Sequence, residues 1–237
     1  VLLEGNLVEK SQGGTGDDVY VVDNTGDRVA ESSNQGTDTV LSSITYTLPN
    51  NTENVTLTGS ADLNATGNNL DNVLLGNDGN NTLTGLLGND HLGGGRGNDR
   101  LDGGAGDDEY LFNLGDGTDT IVDNALSTGP NSVSFGAGIG AQDVYVPDGS
   151  ATIQVGAGAD RIVLNGVDPA NPLAAYPVER FRFTDGTVLT FAQLLQQGRN
   201  QLADRRVDVH RARDHGARSV GGHHVEHRVH DLVAVHA

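Results

Sequence analysis

The sequence predicts an all-β fold, a parallel β-roll flanked by β-rich capping segments, and three observations support this fold class. A nine-residue unit repeats five times without a gap between Gly67 and Leu111. Each copy places one large apolar residue at its eighth position. Short runs in which apolar and polar residues alternate stand on both sides of the repeats, and this pattern is typical of half-buried strands.

The repeat unit follows the pattern GGxGxDxUx, where U is a large apolar residue. The last two copies, GGRGNDRLD from Gly94 and GGAGDDEYL from Gly103, fit at every fixed position, as does a separate copy, GGTGDDVYV, from Gly13. Six residues rich in Gly and Asn can turn the chain, because glycine tolerates positive φ. The next three are extended, and their middle residue points to one face. Two units therefore complete one coil.

The aspartates of the repeat predict a metal site. Turns two units apart should lie on the same edge, so Asp90 stacks over Asp108 and Asp99 over Asn81. Two carboxylates about 4.8 Å apart repel by roughly 3 to 4 kcal/mol at an effective dielectric near 20. Burying one leucine contributes only about 2 kcal/mol. A cation must therefore lie between them, and calcium suits the gap because it accepts six to eight oxygen ligands.

These residues resemble the repeats-in-toxin family, whose nonapeptides wind into a calcium-filled parallel β-roll. In that family, positions two, four and six of one turn and positions one, three and six of the turn two units on hold the ion. The resemblance implies carbonyl ligands except at the two Asp. One expected site combines Leu86, Gly88, Asp90, Gly103, Ala105 and Asp108, and a second combines Asn77, Gly79, Asn81, Gly94, Arg96 and Asp99. Asn72 and Asn81 are neutral, so we expect weaker or empty sites there.

Further expected metal ligands lie at or beyond the edges of this set. They are Gly95, Gly97, Asp119 and Asp18. Asp119 belongs to LGDGTDTIV (residues 114–122), which slips two residues out of register and suggests a capping turn. QGTDTV (35–40) and GAGADRIV (156–163) are weaker echoes, with Asp38 and Asp160 at the Asp position.

Four segments follow from these patterns. Residues 1–66 form a β-rich segment with one isolated and one degenerate repeat, and residues 67–123 form the calcium-binding roll. Residues 124–198 form a β capping domain in which Glu179–Phe191 is a hairpin through Asp185 and Gly186. A capping box at Thr190 and Gln193 starts a short helix that glycine ends at Gly198. This arrangement resembles the β domain that follows such repeats in secreted bacterial proteins.

Residues 199–237 have a different composition and are expected to be disordered. They hold seven of the eight His, and we interpret them as a frame-shifted or added end. His223, Glu226 and His227 form HxxEH, a metallopeptidase signature when it lies on a helix of a folded catalytic domain. Fortuitous zinc or nickel binding by exposed histidines is the favoured alternative. A third interpretation treats residues 231–237 as a type I secretion signal.

Composition agrees with a secreted, calcium-stabilised protein. The formal net charge is -18, so the chain repels itself without a counter-ion and disfavours nucleic acid as a partner. It has no Cys, which removes any disulfide framework, and no run of apolar residues that could span a membrane. It also has no Met, and we interpret it as a fragment or a mature piece of a longer protein.

The function expected from the sequence is a calcium-binding module of a secreted bacterial protein that folds when it meets calcium outside the cell. The chain itself is expected not to be an enzyme, because no GxSxG occurs before the tail. Two alternatives stay open. The chain could be the non-catalytic C-terminal part of a secreted hydrolase or polysaccharide-modifying enzyme, or an adhesin segment that binds surface glycans through its Asn and Thr residues.

Overall fold

A computed structural model describes residues 2–3, 13–123, 130–147, 151–166 and 177–200. Short strands dominate it. In chain order they are β1 (Leu2–Leu3), β2 (Val19–Val22), β3 (Thr39–Ser42), β4 (Tyr46–Thr47), β5 (Asn54–Leu57), β6 (Asn64–Thr66), β7 (Val73–Leu75), β8 (Thr82–Leu87), β9 (His91–Gly93), β10 (Arg100–Ala105), β11 (Glu109–Phe112), β12 (Thr118–Val122), β13 (Ser132–Phe135), β14 (Val144–Tyr145), β15 (Thr152–Val155), β16 (Arg161–Leu164), β17 (Arg180–Arg182) and β18 (Val188–Thr190). Residues 141–143 form a 3-10 turn and residues 191–200 form a helix.

The described strands form two sheets that are parallel except near their C-terminal ends. One sheet has the order β1-β2-β3-β5-β7-β9-β11-β13-β17-β18, and the other has the order β14-β15-β16-β12-β10-β8-β6-β4. Within the repeats the chain alternates between the two sheets, so that β7 and β9 belong to the first and β8 and β10 to the second. The predicted all-β fold with a parallel β-roll is therefore confirmed.

The register confirms that two nine-residue units make one coil. Leu83 pairs with Leu101, and Leu92 pairs with Tyr110, eighteen residues further along the chain in each case. The eighth residue of every copy points inward, because Leu74, Leu83, Leu92, Leu101 and Tyr110 are all at most 1% exposed. Alternation along each short strand puts this residue between the sheets, where it stacks on its equivalent in the next coil.

The coils continue beyond the uninterrupted repeats on both sides. In sequence the copy at Gly13 stands alone, but its strand β2 pairs in parallel with β3, which begins at Thr39 within the QGTDTV echo. Strand β12 of LGDGTDTIV lies between β10 and β16, so the expectation that this segment caps the roll is wrong. The segment is another coil with two extra residues, because Leu101 pairs with Ile121. Parallel pairing crosses both of the expected segment boundaries, after residues 66 and 123.

The expected hairpin and helix close one end of the first sheet. Strands β17 and β18 pair antiparallel, as predicted, and Gly186 takes a φ of 87° in the turn between them. The capping box is confirmed, since Thr190 N donates to Gln193 Oε1 at 2.7 Å and Gln193 N donates to Thr190 Oγ1 at 3.4 Å. The helix runs to residue 200, so Gly198 does not end it. Antiparallel pairs at this edge replace the parallel pairing that another coil would need.

Candidate calcium site

A row of turn aspartates and asparagines runs along one edge of the first sheet. Each side chain is hydrogen-bonded to the backbone of the coil before it: Asn72 N donates to Asp90 Oδ1 and Asp90 N donates to Asp108 Oδ1, both at 2.8 Å. The same contact occurs on the opposite edge, where Asn81 N donates to Asp99 Oδ1 at 2.7 Å. The structure therefore brings together the turn residues that the eighteen-residue spacing predicts, Asp90 with Asp108 and Asn81 with Asp99.

The second carboxylate oxygen of these aspartates accepts no hydrogen bond. In each of them Oδ2 is buried and the whole residue is at most 2% exposed, and this holds for Asp90, Asp99, Asp108 and Asp119. A buried anionic oxygen without a donor is costly unless a cation compensates its charge. This orphaned row of oxygens is the feature that most directly indicates a bound cation.

Asparagine at the same turn position has all of its polar atoms satisfied. Asn72 Nδ2 donates to Glu53 O at 3.1 Å, and Asn72 Oδ1 accepts from Asn68 N at 2.7 Å. Asn81 Nδ2 likewise donates to Leu63 O at 2.8 Å. The amide thus supplies the donors that a carboxylate lacks, and a turn with Asn buries no anionic oxygen of its own.

Backbone carbonyls of the turns point into the space between successive coils. A β-carbon built on a glycine of the following coil would lie far too close to these oxygens, at 2.2 Å from Leu86 O, 1.7 Å from Gly88 O, 2.4 Å from Asn77 O and 2.5 Å from Gly79 O. The four glycines concerned are Gly104, Gly106, Gly95 and Gly97. All four carbonyls belong to the ligand set that the resemblance implies, and glycine is required opposite them because no side chain fits.

Carboxylate and carbonyl oxygens converge beside the first glycine of a repeat. A β-carbon on Gly85 would lie 2.1 Å from Asp90 Oδ2 and 2.5 Å from Gly103 O, so the two oxygens close on one point. One carbonyl of the expected set is engaged by the protein itself, because Gly88 N donates to Ala105 O at 3.0 Å. Clustered carboxylate and carbonyl oxygens form the donor set that calcium prefers, so these residues fit a calcium ion.

The carboxyls hold their protons more tightly than free aspartate does. Burial raises the pKa of Asp90 to about 7; the hydrogen bond from Asn72 N opposes this rise and the charge of Asp108 adds to it. Burial similarly raises the pKa of Asp99 to about 6 and that of Asp119 to about 8. Protons therefore compete with any cation for these oxygens, and the competition weakens as the pH rises.

The remaining expected ligands are placed less regularly. Asp119 joins the second edge, because Asp99 N donates to its Oδ1 at 3.1 Å across a twenty-residue step. Asp18 contacts the QGTDTV echo, where Asp18 N donates to Asp38 Oδ1 at 2.9 Å. The Arg96 side chain is exposed, and a role for its carbonyl stays a prediction. The expectation for Asp160 is wrong, because Ile162 pairs with Asp119 and the Asp160 carboxylate instead accepts from Gly115 N.

Some acids of the site lie outside the repeats and were missed by sequence reasoning. Carboxylate oxygens of Asp18, Glu31 and Asp38 all lie within 4.8 Å of one another, as metal ligands would. Glu31 belongs to no repeat copy, so the repeat spacing gives no sign that it joins Asp18 and Asp38.

The HxxEH motif and residues 231–237 lie outside the described residues. Among the residues that are described, no helix has the length and apolar character needed to cross a membrane.

Comparison with known proteins agrees with this geometry. A family model described as RTX calcium-binding nonapeptide repeat (4 copies) matches residues 66–101 and 87–121. The chain is also 44% identical over 62 residues to the endo-1,3-1,4-beta-glycanase ExsH of Rhizobium meliloti (strain 1021). That match covers 26% of this chain and 13% of the glycanase. The coiled segment from residue 66 to residue 121 therefore belongs to the RTX calcium-binding repeats, and the chain contains a calcium-binding β-roll module.

Proposed function

We propose that the module is a calcium-dependent folding switch of a secreted bacterial protein, which stays expanded during type I secretion and coils outside the cell. The observation that carries the proposal is the row of buried aspartate Oδ2 atoms without donors. Bound calcium supplies the positive charge that these oxygens lack. The protein's own part is to place carboxylates and carbonyls on the same edge in successive coils.

The balance of forces makes the folded state sensitive to calcium. Each coil contributes few inward side chains, and the chain carries a formal net charge of -18, so burial must overcome a general repulsion. Binding one ion at ten times its dissociation constant adds about 1.4 kcal/mol, and three such sites add roughly 4 kcal/mol. This sum is comparable to the whole stability of a marginal domain. A calcium-poor cytosol and a calcium-rich exterior would therefore favour opposite states.

Circular dichroism in chelator and in millimolar calcium tests the switch. We expect a spectrum of unordered chain in chelator and a β spectrum after calcium is added, with magnesium far less effective. Magnesium demands a small, regular octahedral shell, which flexible turns of carbonyls and carboxylates do not provide. An identical β spectrum under both conditions would contradict the proposal, because the coils would then close without the ion.

A second candidate function is supported by the similarity to the glycanase. In this view the chain is a non-catalytic part of a larger secreted polysaccharide-degrading enzyme, and it supports a catalytic part encoded elsewhere. The match covers 26% of this chain and includes no more than 13% of the relative, which leaves room in that protein for other domains. We expect the isolated chain not to hydrolyse a 1,3-1,4-β-glucan. Reducing sugar released by the purified chain would contradict this non-catalytic role.

A further inference from the structure

The eighteen-residue period is lost beyond strand β11. Strand β11 pairs with β9 eighteen residues earlier, but it pairs with β13 twenty-three residues later, through Glu109 and Ser132. Asp102 pairs with Val122, so the residue after Val122 takes the place that Gly103 holds one coil earlier. That residue is Asp123. A carboxylate therefore stands where the repeats offer only a glycine carbonyl.

The hydroxyl of Tyr110 holds this carboxylate in place. Tyr110 OH donates to Asp123 Oδ2 at 2.6 Å and accepts from Gly103 N at 3.0 Å, and Asn131 Nδ2 also donates to Asp123 Oδ2 at 2.7 Å. Asp123 Oδ1 receives no donor and is buried. A β-carbon on Gly103 would lie 2.2 Å from Asp108 Oδ2 and 2.6 Å from Tyr110 Oη, so the carboxylate and the hydroxyl oxygen lie beside the same point.

Asp108 provides the independent sign of a ligand. It is 1% exposed, and its Oδ2 atom has no hydrogen-bond partner. The site therefore contains two buried carboxylate oxygens without donors, Asp108 Oδ2 and Asp123 Oδ1, and the Tyr110 hydroxyl contacts the Asp123 carboxylate. Neither histidine nor cysteine takes part in these contacts, and an all-oxygen set of this kind suits calcium rather than zinc.

The same arrangement occurs a second time, at the N-terminal copy of the repeat. Gly13 N donates to Tyr20 Oη at 2.7 Å, and the Tyr20 hydroxyl donates to Glu31. Glu31, like Asp123, comes from outside the repeat, and it joins Asp18 and Asp38. The coil is irregular here too, because Val19 pairs with Thr39 twenty residues later. Tyrosine at the eighth position thus accompanies an added acid at both breaks.

We propose that Asp108 and Asp123 form an additional calcium site at the C-terminal break of the repeats, where Tyr110 is a positioning residue that orients Asp123. This inference rests on the proposed function, since it assumes that the regular turns bind calcium. Asp108 is the sixth residue of a full repeat copy, whereas Asp123 lies outside the nonapeptide pattern. Asp123 adds a side-chain carboxylate at the register position where the repeats have glycine.

Terbium, which replaces calcium and emits when a nearby tyrosine is excited, distinguishes this site from the regular ones. The regular interior copies carry leucine at the eighth position, but Leu92 stacks on Tyr110, so a terbium ion between Asp90 and Asp108 also receives energy from Tyr110 and adds a constant background to every variant. The parent for the experiment is the full chain with Tyr20→Phe, which removes the emission that Tyr20 would sensitise at the N-terminal break. We expect Asp123→Asn to lower the sensitised emission to this background, while the control Asp185→Asn, an exposed hairpin carboxylate, leaves it unchanged.

Calorimetry with calcium alone separates failure of this site from failure of the folding switch. We expect Asp123→Asn to bind one ion fewer than the unchanged chain and still to gain β structure in calcium. Equal emission and equal stoichiometry in Asp123→Asn would overturn the additional site alone. Absence of any calcium binding by the unchanged chain would overturn the folding switch as well. If Asp123→Asn does not fold, Tyr110→Phe decides: one ion bound at least tenfold more weakly supports the site, and unchanged binding overturns it.

Discussion

Replacing Asp90 by asparagine should change stability in opposite directions with and without calcium. Asp90 is 2% exposed, and its Oδ2 atom has no donor, so its charge destabilises the ion-free fold. Asparagine removes that charge and keeps the oxygen that accepts from Asn72 N. The amide at Asn72, in the equivalent turn one coil earlier, finds acceptors in Glu53 O and Asn68 Oδ1. The turn therefore tolerates asparagine.

The magnitude follows from the raised pKa of Asp90. A pKa of about 7 in the fold, against the usual aspartate value of 3.8, means that the ionised Asp90 side chain destabilises the ion-free fold by about 4 kcal/mol at high pH. Solvent near the edge of the sheet screens this charge, so we expect the destabilising contribution of ionised Asp90 to be roughly 2 kcal/mol. In chelator, Asp90→Asn should then raise the melting temperature by about 4 to 8 °C. In calcium at a hundred times the dissociation constant, loss of one site removes about 2.7 kcal/mol, so the melting temperature should fall.

Thermal unfolding in chelator and in calcium measures both effects on the same protein. Because we expect an unordered chain in chelator alone, the chelator arm also contains sucrose, which favours the compact state, at a concentration that populates the ion-free fold. Asp107→Asn is the matched control, because it removes the same charge from an exposed side chain of a neighbouring turn. A change of the same sign in both conditions for Asp90→Asn would refute the reasoning that this carboxylate is a calcium ligand.

Four further predictions follow from individual contacts. Gly85→Ala should weaken calcium binding and destabilise the fold by about 1 to 3 kcal/mol, since its β-carbon meets two oxygens within 2.5 Å, whereas Gly158→Ala in open space should change neither calorimetric affinity nor stability. Leu86→Gly should stabilise the protein by about 1 kcal/mol in urea unfolding, because Leu86 has a φ of 87°. Leu92→Ala should cost about 2 to 5 kcal/mol with calcium present, as measured by the same unfolding, because Leu92 is fully buried. In chelator, melting temperatures should fall as the pH rises from about 4 to 8: carboxyls such as Asp119, whose pKa burial raises to about 8, bind protons in the folded state, and this contribution is lost as they ionise. A melting temperature that rises over this range would contradict the burial of ionised carboxyls.

The repeat was readable from the sequence because its interactions are periodic. An eighteen-residue coil brings Leu83 onto Leu101 and Asp90 onto Asp108, and every contact of this kind follows from one spacing. The hairpin through Gly186 and the capping box at Thr190 were equally readable, because both depend on residues close in sequence. Local and periodic signals of this kind need no knowledge of the rest of the chain.

The irregular coils could not be derived in this way. Whether Asp38 or Asp160 reaches an aspartate of the neighbouring coil depends on the length of the turns that connect its coil to that neighbour. Asp38 reaches Asp18, while Asp160 misses the register by two residues and leaves Ile162 opposite Asp119. A shift of two residues keeps the same face buried, so the apolar pattern is satisfied either way and cannot reveal the shift.

The sequence by itself determined the parallel roll, its inward leucines, and the edges along which carboxylates repeat. Only the tertiary structure decided which acids from outside the repeats join those edges, and it brought Glu31 to Tyr20 and Asp123 to Tyr110. The physical reason is that the repeat is stabilised by identical contacts between neighbouring coils, which a single spacing encodes. The breaks are closed by single contacts between residues whose separation follows no period, and only the packed chain defines them.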